Sequence, residues 1–161
     1  MNHRRKRHIL PTVFLVALAA TTGCISDENT LFAMGDSITF GFGSEDLGGY
    51  RSRLFALAQR EGHGVSFVGP RQDGPNTVEG RSFSKYHDGS SGYTLLGDEN
   101  GDRGIAPRVE QQISWYRPEI LLLMAGTNDI LQDIDLDNAP SRFAQLIDEV
   151  LEVDPEITLE R

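Results

Sequence analysis

Two apolar runs frame the chain. Leu31–Met34 stops at Gly35, and Glu119-Ile120-Leu121-Leu122-Leu123-Met124-Ala125 stops at Gly126. The second has the uninterrupted character of a buried central strand. Between them, Tyr50–Arg60 carries Tyr50, Leu54, Leu57 and Ala58 at helical spacing and ends against Gly62 and Gly64. Val65-Ser66-Phe67-Val68, closed by Gly69-Pro70, reads as a short strand, so strand, helix and strand in that order predict a parallel, right-handed unit. Ile105–Tyr116 places Ala106, Val109, Ile113 and Tyr116 on one helical face, and Pro118 stops it. Asn138 is expected to cap a last helix, with Pro140 in its first turn and Phe143, Leu146, Ile147, Val150 and Leu151 on its buried face. Pro155 ends that helix, and Ile157-Thr158-Leu159 starts another strand. The alternation predicts an α/β domain.

The remaining stretches are polar. Arg71–Ser91, long, glycine-punctuated and short of aliphatic residues, reads as a loop on the rim of a site. Gly97–Gly104 carries Asp98, Glu99, Asn100 and Asp102 but lacks the acidic spacing and terminal glutamate of a calcium loop, so it reads as a solvated turn. Asp133, Asp135 and Asp137 form a solvated acidic loop.

The amino terminus reads as an export signal over residues 1–23. Arg4, Arg5, Lys6 and Arg7 precede an apolar core from Ile9 to Ala20, too short to span a bilayer comfortably. Cys24 follows directly, in a context resembling a bacterial lipoprotein signal, although Thr21 stands where leucine is more usual; a lipidated, membrane-anchored protein is expected, with ordinary secretion as the alternative. Residues 24–30 are expected to be a tether and 31–161 a single domain, acting as a monomer. Cys24 is the single cysteine, so no internal disulfide forms. The formal charge is −9; removing residues 1–23 takes away four basic residues and leaves 11 against 24, or −13. Such a balance disfavours nucleic acid and anionic lipid, and leaves a lipid on Cys24 as the route to a membrane.

Candidate chemistry sits where the two apolar runs end. In an open α/β sheet, ligands bind beyond the carboxyl ends of the strands, so Ser37, on the first strand-to-helix turn, faces the natural crevice. Asp36 and Ser37 also suit a helix cap, and this stretch alone does not choose between cap and nucleophile. Gly126-Thr127-Asn128-Asp129 brings an asparagine amide to the same edge, and an amide N–H is a donor for the oxygen that becomes negative when a hydroxyl attacks a carbonyl. Asp129 reads as an anchor of its own turn, accepting backbone N–H bonds.

These blocks resemble the SGNH (GDSL-type) hydrolase family. Gly35-Asp36-Ser37-Ile38-Thr39 is similar to its first block, His87-Asp88-Gly89-Ser90-Ser91-Gly92-Tyr93-Thr94 to its second and Gly126-Thr127-Asn128-Asp129 to its third. The resemblance implies a three-layer α/β/α, flavodoxin-like fold around a parallel sheet, with Ser37 as nucleophile and Gly92 and Asn128 in the oxyanion hole. It implies an ester substrate and no cofactor or metal. Asp36, Asp129 and His87 become supporting residues: His87 lies too early to be the family's base and is expected to orient the second-block loop, while His63 reads as a surface residue. Gly49-Tyr50-Arg51 and the second and third blocks most resemble carbohydrate esterase family 3, which implies deacetylation of a polysaccharide such as acetylxylan.

The family's Asp-x-x-His pair has no counterpart here, since no histidine follows Asn128. A serine hydroxyl without a base is a poor nucleophile. The domain is therefore expected to be incomplete at its C-terminus, with apolar sheet surface left uncovered. The alternatives are a lysophospholipase or short-chain esterase on the same scaffold, or an inactive fragment or carbohydrate-binding lipoprotein.

Overall fold

The computed structural model describes residues 28–98 and 100–160; the expected leader and Cys24 lie outside them. In chain order the elements are β1 (Asn29–Gly35), α1 (Ser37–Phe40), α2 (Gly49–Arg60), β2 (Val65–Val68), β3 (Arg71–Gln72), β4 (Thr77–Val78), β5 (Arg81–Ser82) and β6 (Tyr86–Gly89). There follow a 3-10 turn (Ala106–Arg108), α3 (Val109–Tyr116), β7 (Ile120–Met124), α4 (Thr127–Leu131), α5 (Ala139–Val153) and β8 (Thr158–Glu160).

β1 is the axis of the sheet. It pairs in parallel with β7 along its length, from Leu31↔Ile120 to Gly35↔Met124. On its other side β2 takes the first half, Asn29↔Val65 to Phe32↔Val68, and β6 the tip, Met34↔Asp88 and Gly35↔Gly89. β8 extends the sheet beyond β7, and β3 runs antiparallel to β6. The chain leaves β1 for β2 in one direction and β7 for β8 in the other. Right-handed crossovers must then place α2 and α5 on opposite faces.

The cores show both layers. Leu31, Ala33, Val65 and Phe67 pack with Phe55 of α2 and with Phe83, whose ring meets those of Phe55 and Phe67 edge-on. Phe32, Met34, Leu121 and Leu123 point the other way, onto Val109 and Ile113 of α3 and Leu146 and Val150 of α5. Each fully buried aliphatic or aromatic side chain contributes roughly 1.5–3 kcal/mol by leaving water. The direction of strand order reverses between β1 and β7, and a crevice belongs at such a switch point.

Five expectations change. β1 starts at Asn29, so the end of the expected tether is strand: Thr30 bonds through its N–H and hydroxyl to the Glu119 carboxylate. The expected rim loop 71–91 contains β6, a strand of the main sheet, and a β4–β5 hairpin whose turn residues, Glu79 and Gly80, have φ values of 49° and 77°, as a type I′ turn requires. The first turn of the helix expected from Ile105 is 3-10, and α3 proper begins at Val109. Asn138 stands at the N-cap of α5 without capping it, because its amide bonds the Asp135 carboxylate. Leu151 is 39% exposed, leaving Leu146 and Val150 as the buried residues of α5.

β7 is central in the sheet but covered on one face only along its outer half. Met124 is 41% exposed, and a cavity of about 410 Å³ lined by Tyr50, Leu54, Leu57, Leu122, Met124 and Glu160 opens beside α2.

Candidate active site at the strand tips

Ser37 is the first residue of α1, two beyond Gly35. The turn is tight because β1 and β7 approach closely: a Cβ on Gly35 would lie 2.1 Å from the Met124 carbonyl oxygen and 2.7 Å from Thr39 Oγ1. Asp36, fully buried, caps α1 by accepting the Ile38 N–H at 2.8 Å. The cap and the nucleophile candidate are thus neighbouring residues, and Ser37 is left half-buried with its hydroxyl out of the capping bond. Gly41, at φ 98°, ends the turn, where the Phe42 N–H reaches the Ser37 carbonyl at 2.9 Å.

The other two tips arrive from either side. Gly89 lies opposite Gly35, and a side chain there would meet the Phe40 nitrogen at 2.2 Å, so β6 packs directly on α1. The Ser90 N–H then bonds the Gly35 carbonyl at 3.0 Å, and Gly92, at φ 80°, has open space where a Cβ would stand. From β7, Gly126 turns the chain into α4, and the Asn128 amide nitrogen donates to the Tyr93 carbonyl at 2.8 Å. That bond uses one of the two amide hydrogens and ties the third tip to the second. Ser37, Gly92 and Asn128 therefore share one end of the sheet, on the three adjacent strands β1, β6 and β7.

Asp129 acts at longer range than expected. Its carboxylate accepts the Leu95 N–H at 2.9 Å and pairs with Arg142 of α5 at 2.7 Å, which locks α4 to the loop after Gly92 instead of closing its own turn. His63 is exposed, as expected. His87 is fully buried in β6: Nδ1 accepts the Gly89 N–H at 2.9 Å, and Nε2 lies 3.2 Å from Asp73 Oδ2. Both ring nitrogens are engaged in holding the β6 tip, the orienting geometry expected of this residue.

Burial, with the charge of Arg51 second, pushes the His87 pKa down from 6.5 to about 4, against the opposing pull of Asp73. The native ring stays neutral while the unfolded chain takes up a proton below pH 6.5. Stability is therefore retained above pH 6.5 and falls as the pH drops toward 4, by at most about 1.4 kcal/mol per pH unit from this group. Urea midpoints at pH 7 and 4.5 should fall less steeply for His87→Gln than for the parent; equal slopes would remove His87 as the cause.

Sequence reasoning missed the arginines that hold these loops. Arg51 is fully buried and donates to five backbone carbonyls, Arg142 pairs with Asp129, and Arg108 reaches Asp88, Ser90 and Tyr93. The available signals were that Arg51 stands in the Gly49-Tyr50-Arg51 stretch and one helical turn before Phe55, on the buried side of α2.

A family model described as the GDSL-like Lipase/Acylhydrolase family matches residues 33–159. The chain belongs to this family. Within the GDSL-like family it is 31% identical to a multidomain esterase of Ruminococcus flavefaciens, over 86% of this chain and 19% of that protein. The family 3 carbohydrate esterase of Clostridium thermocellum superposes with a TM-score of 0.70 at 30% identity, over 82% of this chain and 59% of that one. A family 3 carbohydrate esterase from Talaromyces cellulolyticus superposes at 0.62 with 21% identity, over 81% and 59%, a likeness of fold alone. The chain thus spans about three fifths of the length of these two family 3 carbohydrate esterase structures and 19% of the multidomain esterase.

Proposed function

We propose that this chain belongs to an exported serine esterase that removes acetyl groups from a polysaccharide such as acetylxylan. The observation that carries the reading is the meeting of a serine, an open glycine turn and an asparagine amide at the switch point of a sheet similar to that of a family 3 carbohydrate esterase. Residues 1–23 direct export in this reading, and Cys24 is lipidated, with several acyl chains needed for firm anchoring.

Ser37 Oγ attacks the acetyl carbonyl carbon, and the carbonyl π pair moves onto oxygen. The N–H of Ser37, which has no intrahelical acceptor in the first turn of α1, joins the Gly92 N–H and the Asn128 amide in holding that charge. A base takes the Ser37 proton and gives it to the departing sugar hydroxyl, and water then cleaves the acyl-serine to release acetate. Among the described residues His87 is sealed and His63 is remote from these tips, so neither serves as the base in this reading, which calls for a base and carboxylate of the family's Asp-x-x-His type. Reading the coding frame past Arg161 for such a pair checks it.

The assay uses the full-length protein, with p-nitrophenyl acetate, acetylated xylan and a lysophospholipid compared. Asn128→Ala should lower kcat about a hundred-fold or more; a loss under threefold would remove Asn128 from the oxyanion hole. One observation favours a second reading, hydrolysis of longer acyl chains. A cavity of about 360 Å³ lined by Leu95, Gly126, Thr127, Ile130, Leu131 and Phe143 opens beside α4, with Ile130 66% and Leu131 76% exposed. Preference for the lysophospholipid over acetylated xylan would select it.

A further inference from the structure

We propose that Arg108 is a positioning residue for the oxyanion hole, holding Gly92 and Asn128 in place through a single guanidinium; this rests on the reading of those two residues as oxyanion donors. Arg108 closes the 3-10 turn that leads into α3 and reaches back to the tip of β6. One arm pairs with the carboxylate of Asp88, whose side chain is fully buried. The other donates to Ser90 Oγ at 3.1 Å, and the guanidinium carbon lies 5.5 Å from the centre of the Tyr93 ring. One cation therefore grips both ends of the turn Ser90–Tyr93, whose third residue is Gly92.

That turn needs an external grip. Gly92 adopts a left-handed φ of 80° with nothing within 4 Å of where a Cβ would stand, so no packing on that side holds it in place. Within the turn, the Tyr93 N–H bonds the Ser90 carbonyl at 3.3 Å, near the weak end of hydrogen-bond geometry. The Tyr93 carbonyl is in turn the acceptor that orients Asn128. A shift of Tyr93 consequently displaces both donors together. Asp88 enforces the arrangement: burial pushes its pKa up, Arg108 and then Arg71 oppose that, and losing Arg108 strips the buried carboxylate of its directly paired cation.

The test uses the full-length protein, with p-nitrophenyl acetate as substrate and the Asn128 side-chain amide observed by nitrogen-15 NMR. Arg108→Gln should lower kcat ten- to a hundred-fold with KM changed less than twofold, because misplacement by about an ångström damages the transition state more than binding. Arg108→Lys should fall between, since one ammonium keeps the Asp88 pairing but cannot also bond Ser90 and cover Tyr93. The pair of Asn128 amide proton shifts should move in Arg108→Gln. Asp88→Asn with Arg108→Gln removes the stranded carboxylate, and should recover melting temperature without recovering kcat. Recovery of kcat with stability, or a kcat of Arg108→Gln within twofold of the parent, would overturn the inference while leaving the esterase reading intact. If the parent hydrolyses no ester, the esterase reading falls; unmoved Asn128 signals in Arg108→Gln would then still overturn the positioning role.

Discussion

Ser37→Ala is expected to abolish p-nitrophenyl acetate hydrolysis in the protein that carries its base, while leaving the fold intact. Loss of the nucleophile in a serine hydrolase with a complete triad costs about a million-fold in kcat, and what remains over water comes from the oxyanion hole and binding. The stability arm of the expectation comes from the cap. Asp36, not Ser37, accepts the Ile38 N–H, and among the described residues no hydrogen bond engages the half-buried Ser37 hydroxyl, so its removal should not loosen α1. The melting temperature should therefore correspond to a change within about 0.5 kcal/mol, as for substitutions away from such features. Undiminished turnover would eliminate the mechanism. Lost turnover accompanied by a collapsed fold would mean that Ser37 serves the turn instead.

The largest expected loss of stability is Arg51→Met. The Arg51 guanidinium donates to the carbonyls of Leu47 and Asp73 at 2.8 Å, Thr39 at 2.9 Å, Lys85 at 3.1 Å and Phe40 at 3.3 Å. Two of these end α1, one belongs to the loop after it, and two belong to the segment leading into β6. Burial pulls the Arg51 pKa down, but its ordinary value is so high that the group stays charged. A buried acceptor stripped of its partner costs about 1–3 kcal/mol, and five at once approach the 5–15 kcal/mol that holds a domain together. Arg51→Met should lose at least about 4 kcal/mol in urea titration, or fail to accumulate as folded protein. Arg51→Lys should recover only part, since three rotatable donors on one nitrogen cannot span five carbonyls in a planar fan. A methionine variant within about 1 kcal/mol of the parent would show that water replaces the guanidinium.

These two residues mark what was and was not legible in the chain. β1, α2, β2, β7 and α5 announced themselves because each buries an apolar run or stripe, and the two longest runs end at the glycines that turn toward Ser37 and Asn128. β6 did not, because it is Tyr-His-Asp-Gly, and its buried polar side chains are tolerated only through partners elsewhere: Asp73 for His87 and Arg108 for Asp88. Gly92 was visible only through the family's second block; nothing in its spacing from Ser37 points to a shared end of the sheet until β6 is known to pair with the tip of β1. The arginines were illegible for a related reason. Arg51, Arg108 and Arg142 act on backbone or carboxylates at least four and as many as 34 positions away, and a charged residue in a helix ordinarily faces water. The sequence pattern reported which strands end in chemistry, while the bonds that aim that chemistry depend on the assembled sheet.

The central claim is that Ser37 is the nucleophile, facing donors on the two neighbouring strand tips. The most direct test is to treat the full-length protein with one equivalent of a p-nitrophenyl phosphonate ester and to locate the adduct by peptide mass mapping. A single phosphonyl group on Ser37, formed at least tenfold more slowly in Asn128→Ala, is the predicted result. An adduct on another residue, or none under conditions where the protein still hydrolyses esters, would contradict it.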